Sequence, residues 1–291
     1  MTKKRESTPG ELRSTAKSNT GTSGDDAEKL DAVIFDLDGV VTNTAAVHAR
    51  AWKRLFDDYL RQRADKAGET FKPFEIGSDY PRYVDGKRRE DGVRSFLASR
   101  GIKLPDGDAD DPPTAETVRG LGKLKDGYFL KDLETNGVEI YPSSVKLIEK
   151  LKANDVLVAL VSASRNVKSV LAGAGLSDLF EVKVDGLVAD EMKLPGKPQP
   201  DTFLEAAKRL GVEASQAAIV EDALSGVEAG RSGAFGLVIG VDRIGQGPAL
   251  REHGADVVVE DLGELPAEVL DRLLPADAAQ AQLKESKGRP S

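Results

Sequence analysis

Ala32-Val33-Ile34-Phe35-Asp36-Leu37-Asp38-Gly39-Val40-Val41-Thr42 is the stretch whose reading decides the fold. Its short apolar run reads as a buried strand. Two carboxylates sit two residues apart where that strand ends, and Gly39 frees the backbone to turn. In extended chain, residues i and i+2 point to the same side, so Asp36 and Asp38 can address one reacting atom. One can serve as a nucleophile and the other as a general acid/base, provided a cation offsets their repulsion. An isolated Asp-x-Asp-Gly is more often a solvated turn; the surrounding sequence reverses that reading.

Outward from this stretch, residues 156–162, 217–221, 235–240 and 255–259 join 31–36 as five apolar runs with the character of buried parallel strands. Most are β-branched at several positions, as strands prefer. Helical patterns lie between them. Residues 143–153 space Val145, Ile148 and Leu151 three apart, after Pro142 and two serines suited to a helix start. Residues 166–175 and 200–210 behave likewise, the latter opening at Pro200. Such alternation predicts an α/β fold, a doubly wound, Rossmann-like parallel-sheet core domain.

Residues 44–135 break the alternation. They hold helical patterns over 44–63, 89–100 and 114–134, with an acidic, solvated loop from Pro105 to Pro113, and no buried strand. The expected organisation is a core domain of residues 29–44 and 136–275, carrying an inserted α-helical cap domain over 45–135. Residues 1–28 are rich in Ser, Thr, Lys and Gly and read as a disordered tail. They lack the apolar segment of a secretory signal, and Glu6, Glu11, Asp25 and Asp26 count against a transit peptide. Residues 276–291 are polar and expected to fray.

The 291 residues, 40% of them hydrophobic, suffice for about two domains. A formal charge of −8 counts against nucleic-acid and membrane partners, which would want a basic face. An anionic small molecule is still compatible, because a bound cation and a few converging Lys or Arg can reverse the sign locally. With no cysteine, disulfides, thiolate chemistry and zinc–thiolate sites are excluded, which suits a cytoplasmic protein. No window approaches the ~18 apolar residues of a membrane span.

Ligands of open α/β sheets bind beyond the carboxyl ends of the strands. Polar residues fall at those ends here: Asp36 and Asp38 after the first strand, Ser162-Ala163-Ser164 after the second, Glu221-Asp222 after the third, and Gly196-Lys197-Pro198 between the last two. Each has an ordinary reading alone, as a helix cap or a solvated charge; their order along one edge is what argues for a site. Carboxylates plus a backbone carbonyl make a hard oxygen site suited to Mg²⁺. A serine hydroxyl, backbone N–H groups and a lysine supply a phosphoryl cradle, and phosphoryl transfer needs mainly positioning and charge neutralisation.

In these four motifs, over most of residues 30–262, the sequence resembles the haloacid-dehalogenase-like (HAD) phosphotransferases. The resemblance implies that Asp36 is the nucleophile that becomes an aspartyl-phosphate and that Asp38 is the general acid/base. It places Ser162 and Lys197 on the phosphoryl group. It assigns Mg²⁺ to Asp36, the Asp38 carbonyl and Asp222, with Glu221 beside them.

The inserted helices are more narrowly similar to the β-phosphoglucomutase-like family. Thr44, His48 and Trp52 recur every four residues and share one helix face. Arg89 matches the cap arginine that grips the distal phosphate, a task suited to a guanidinium fork. Lys125 matches a cap lysine near the phosphoryl site, and Ser164, Arg165 and Asn166 match a second phosphate-contact segment. Asn43 departs from a common Asp, Arg165 from a common Lys, and residues 80–89 and 101–113 differ from shorter counterparts. The resemblance implies a monomeric, Mg²⁺-dependent mutase interconverting β-D-glucose 1-phosphate and glucose 6-phosphate through a bisphosphate intermediate. The alternative it leaves is a sugar-phosphate phosphatase, for example on trehalose 6-phosphate, in which water attacks the same phosphoenzyme.

Overall fold

The computed structural model describes residues 29–287. Among them, six strands form one parallel sheet: β1 (Ala32–Asp36), β2 (Leu157–Val161), β3 (Val182–Val184), β4 (Ala217–Glu221), β5 (Leu237–Val241) and β6 (Val257–Val259), in the order β3-β2-β1-β4-β5-β6. The central strand β1 is the stretch with which the sequence opened its case. It pairs with β2 from Ala32↔Leu157 to Asp36↔Val161, and with β4 from Ala32↔Ala217 to Phe35↔Val220. This register brings Asp36, Ser162 and Glu221 to one edge of the sheet.

Both faces of the sheet are covered, as an all-parallel sheet requires. Val33 and Phe35 pack with α4 (Pro142–Ala153), α5 (Val167–Gly173) and α10 (Ala267–Leu273). Ala32 and Ile34 point the other way, into a cluster holding Phe203, Ala206 and Ala207 of α7 (Asp201–Leu210) and Ala229 of α8 (Leu224–Ser232). The short α6 (Gly186–Glu191) follows β3, and α9 (Gly247–Glu252) follows β5.

Helices α1 (Ala45–Ala67), α2 (Arg89–Ser99) and α3 (Val118–Asn136) form a layer with a core of its own. Phe56 stacks on Trp52 at 5.2 Å and meets Phe96 at 4.1 Å, with Phe74 closing the group. One π-turn, Tyr80–Val84, leads into α2 and buries Tyr80 and Val84. The two segments joining this layer to the sheet run side by side. The Asn43 N–H donates to the Glu139 carbonyl at 2.9 Å, and the Tyr141 N–H to the Val41 carbonyl at 3.0 Å.

Two expectations need correction. Strand β3 was not foreseen: Val182-Lys183-Val184 is three residues long at the sheet edge and contains a lysine, so it lacks an apolar run. Residues from Ala276, expected to fray, instead form α11 (Ala276–Lys287), which buries Ala279 against the core and brings the Gln282 side chain to Lys150 at 3.1 Å. Its apolar face is only a few alanines and one leucine wide, too faint for periodicity to announce. Helices α1 and α3 also run beyond their expected ends, to Ala67 and Asn136. Gly68, in the left-handed region at φ 68°, ends the first of these. The expectation for residues 1–28 lies outside the described residues. Among the described residues no helix is long and apolar enough to cross a membrane.

Candidate active site

The turn after β1 builds the centre of the site. Gly39 sits at φ +90°, a region side chains avoid, and its N–H donates to the Thr42 carbonyl at 2.7 Å. A Cβ there would lie 1.7 Å from Oδ2 of Asp222, so the glycine is also what lets that carboxylate approach. The tight turn directs the Asp38 N–H onto Asp36 Oδ2 at 2.8 Å.

Asp36 and Asp38 have different surroundings. Asp36 Oδ1 accepts from Lys197 Nζ at 2.5 Å, and the same ammonium pairs with Glu221. The Ala223 N–H holds the other Glu221 oxygen at 2.9 Å. Asp38 instead accepts from the Thr44 hydroxyl at 2.5 Å and the Ser162 hydroxyl at 3.1 Å, and His48 Nε2 lies 3.3 Å from it. Burial pushes the Asp36 carboxyl well up, helped by Glu221 and Asp38 and opposed by Lys197. Burial pushes Asp38 up too, but the nearby His48 ring, with the hydroxyls of Thr44 and Ser162, holds it below the usual carboxylate range. Two carboxylates two residues apart are thereby pushed in opposite directions. Burial works against the Lys197 charge, yet Asp36 and Glu221 outweigh it and hold the ammonium above its ordinary value.

Asp36, Glu221 and Asp222 are all buried, and one oxygen from each lies within 4.8 Å of the others. Burial pushes Asp222 well up as well, aided by Asp85 and Glu221. Three buried carboxylates against a single lysine leave the cluster short of positive charge. Its donors are hard oxygens, so a small divalent cation fits it.

The helical layer forms the opposite wall. Thr44, His48 and Trp52 do share one face; Thr44 and His48 reach Asp38, while Trp52 packs on Phe56 in the helical layer. His48 stacks on Phe129 at 4.0 Å, and its Nδ1 pairs with Lys125 Nζ. Lys125 is 4% exposed, and burial pushes its amine down to about 7. Burial also lowers His48, and the Lys125 charge adds to this. Ser162 and Ser164 extend the opposite side: the Ser164 N–H donates to Ser162 Oγ and the Asn166 N–H to Ser164 Oγ, each at 3.1 Å. Ala163 and Gly186 contribute backbone to the lining.

Farther from Asp36 and Asp38, the chamber wall carries arginines paired with acids. Arg89 reaches Asp126 at 2.9 Å, and its buried Nε has no hydrogen-bond partner. Arg165 grips Asp190 at 2.6 and 2.7 Å and reaches across to Glu90 at 3.0 Å. Asn166 donates to Asp126 at 2.7 Å. The cavity enclosed is about 70 Å³, well short of the ~300 Å³ where ligand pockets begin. In this arrangement the chamber is smaller than a sugar phosphate.

Every residue singled out from the sequence lies in or against this chamber. Several that line it were missed: Tyr80, Asp85, Arg88, Glu90, Asp126 and Asp190. Asp85 is pushed up to about 7, chiefly by burial and then by Glu221. Only the departure of residues 80–89 from shorter counterparts hinted at it. Asp190, in a short helix between two sheet strands, carried no signal at all.

The family model of haloacid dehalogenase-like hydrolases matches residues 30–233. Over 241 residues the chain is 52% identical to the β-phosphoglucomutase of Mycobacterium tuberculosis, across 82% of this chain and 92% of that one. It is 31% identical to the β-phosphoglucomutase of Bacillus subtilis, across 83% and 94%. The crystal structure of a β-phosphoglucomutase from Clostridium difficile superposes with a TM-score of 0.62 at 27% identity, covering 89% of this chain and 100% of that one. The matched segment contains Asp36, Asp38, Ser162, Lys197, Glu221 and Asp222, and the chain belongs to the haloacid dehalogenase-like hydrolase family, among its β-phosphoglucomutase-like members.

Proposed function

We propose that this chain is a Mg²⁺-dependent β-phosphoglucomutase that interconverts β-D-glucose 1-phosphate and glucose 6-phosphate. The observation that carries the reading is a chamber with two dissimilar ends. The Asp36–Asp38 pair lies at one, and Arg89 stands at the other beside Arg165, both paired with Glu90. A molecule with a phosphate at each end, or a phosphate and a hydroxyl, suits such a chamber. The likeness to mutases of two bacteria supports the same choice.

In this reading Asp36 attacks phosphorus and carries the phosphoryl group, while Lys197 and Ser162 hold its oxygens. Asp38 takes the proton of the sugar hydroxyl as that oxygen bonds phosphorus and the bond to Asp36 breaks. Turned end for end, the bisphosphate returns its other phosphate to Asp36, and Asp38 gives the proton back. Thr44, His48 and Ser162 keep Asp38 aimed at the reacting oxygen. Arg89, with Ser164, Arg165 and Asn166, grips the distal phosphate, and Lys125 fixes the His48 ring. Mg²⁺ would be held by Asp36, the Asp38 carbonyl and Asp222 with Glu221 beside them, and when bound it neutralises charge at the phosphoryl group.

Incubation with β-glucose 1-phosphate, Mg²⁺ and a glucose bisphosphate primer tests this. Glucose 6-phosphate is the expected main product. Free phosphate as the main product would overturn the mutase in favour of a phosphatase on the same phosphoenzyme.

A further inference from the structure

We propose that Arg88 and Asp190 form a latch between the helical layer and the sheet that sets whether the phosphorylated enzyme gives its phosphoryl group to a sugar hydroxyl or to water. The proposal deepens the mutase reading and rests on its aspartyl-phosphate.

Arg88 is the residue immediately before α2, on the helical layer. Its guanidinium pairs with Asp190 of α6, on the sheet side, and also donates to the Leu194 carbonyl at 3.1 Å. Its stem lies flat over Gly196, where a Cβ would come within 2.5 Å of Arg88 Cγ. Gly196 adjoins Lys197, the residue on Asp36. Arg88 therefore clamps the helical layer onto the loop that carries the phosphoryl-site lysine.

This clamp uses protein groups alone. Arg89, one residue on, pairs with Asp126 and Glu90 at the chamber wall; the Arg88 contacts run to Asp190 and the Leu194 carbonyl. Asp190 also holds Arg165 by a fork while Arg165 reaches Glu90 on the helical layer, so a second bridge converges on the same carboxylate. A closure that needs no ligand shields the free phosphoenzyme between turnovers, when no distal phosphate is there for Arg89 to grip. Water reaching it would bond phosphorus as the Asp36 oxygen–phosphorus bond breaks. One water proton would pass to Asp38, leaving the Asp36 carboxylate and orthophosphate. Opening the latch exposes that step, whereas transfer to a bound sugar phosphate keeps the closure its own phosphate supplies.

The test follows phosphoenzyme decay. The full-length enzyme is phosphorylated with acetyl phosphate and Mg²⁺, and the adduct is followed by intact-mass spectrometry, in buffer and with saturating β-glucose 1-phosphate. Arg88→Met and Asp190→Asn should each speed discharge to water, by up to about fivefold for a partly exposed ion pair, and change discharge to sugar by less. The double variant should add little to Asp190→Asn, which already removes the Arg88 pair along with the Arg165 one. Arg88→Lys should recover part of the protection. Thermal midpoints show whether each variant is folded, and Arg88→Lys supplies the comparison should Arg88→Met unfold. Equal decay in water for parent and Arg88→Met, both folded, would overturn the latch. Absence of any adduct on the parent's Asp36 would overturn the mutase reading beneath it instead.

Discussion

Asp36 and Asp38 are two residues apart on one backbone, yet a lysine faces the first, and two hydroxyls and a histidine face the second. That difference separates their predicted losses. Asp36→Asn keeps the size of the side chain and removes the nucleophile, so turnover should fall to background in a folded protein. Asp38→Asn should cost roughly 10²–10⁴-fold in kcat, the usual worth of general acid–base catalysis. It should leave Mg²⁺ affinity nearly intact, because the backbone carbonyl that would bind the ion survives. Calorimetric titration with Mg²⁺ checks the second statement; a loss as deep as that of Asp222→Ala would make the Asp38 side chain chiefly a ligand. Lys125 offers a stability test. Its amine titrates near 7 in the fold and near ~10.4 in an unfolded chain. Below pH 7 both states are charged and the folded one bears the full cost of burying that charge; above about 10.4 both are neutral and the cost is gone. Stability should therefore rise with pH across that window through this group. Lys125→Met should be most stabilising at pH 7 and progressively less so towards pH 10, by urea unfolding of the metal-free protein. A benefit equal at both pH values would mean that the amine is not shifted.

At the scale of elements, what was legible in the sequence was whatever carries its signal within a few neighbouring residues. Strands β1, β2, β4 and β5 are apolar on both faces, so their runs stand out; β3 and α11 are short or narrow and take their order from what they pack on. The same division holds within the site. Asp36, Asp38, Ser162, Lys197, Glu221 and Asp222 follow strand ends or sit in a distinctive turn, each ordinary alone but legible together by their order along the chain. Asp85, Arg88, Asp126 and Asp190 acquire meaning only when α2, α3 and α6 meet, a fact of tertiary packing that no window of the chain records. The helical layer depends on its aromatic cluster in a way that can be measured. Phe96 is fully buried against Phe56 and Phe74. Phe96→Ala should cost about 3–5 kcal/mol in urea unfolding, and a loss under ~1 kcal/mol would mean that the cluster repacks around the gap.

For the molecule as a whole, an ion held by the buried triad of Asp36, Glu221 and Asp222 would make folding and metal binding one equilibrium. An ion that binds the folded chain and not the unfolded one stabilises it by RT ln(1 + [L]/Kd), about 2.7 kcal/mol at a hundredfold excess over Kd. For a chain of this size each kcal/mol moves the thermal midpoint by roughly 2–4 °C. Adding Mg²⁺ to metal-free protein should therefore raise the midpoint by several degrees, without any substrate present. Gly39 shows whether that rise comes from this site. A methyl group there meets the Asp222 carboxylate and strains a backbone held at φ +90°. Gly39→Ala should thus lower the midpoint of the metal-free protein and also flatten its response to Mg²⁺, because the carboxylate that completes the triad is pushed aside. Gly68→Ala, also at positive φ but with open space around its Cβ, should carry the backbone penalty alone and keep the full Mg²⁺ response. If Gly39→Ala responds to Mg²⁺ as fully as Gly68→Ala does, the ion is binding elsewhere and Asp222 is not among its ligands.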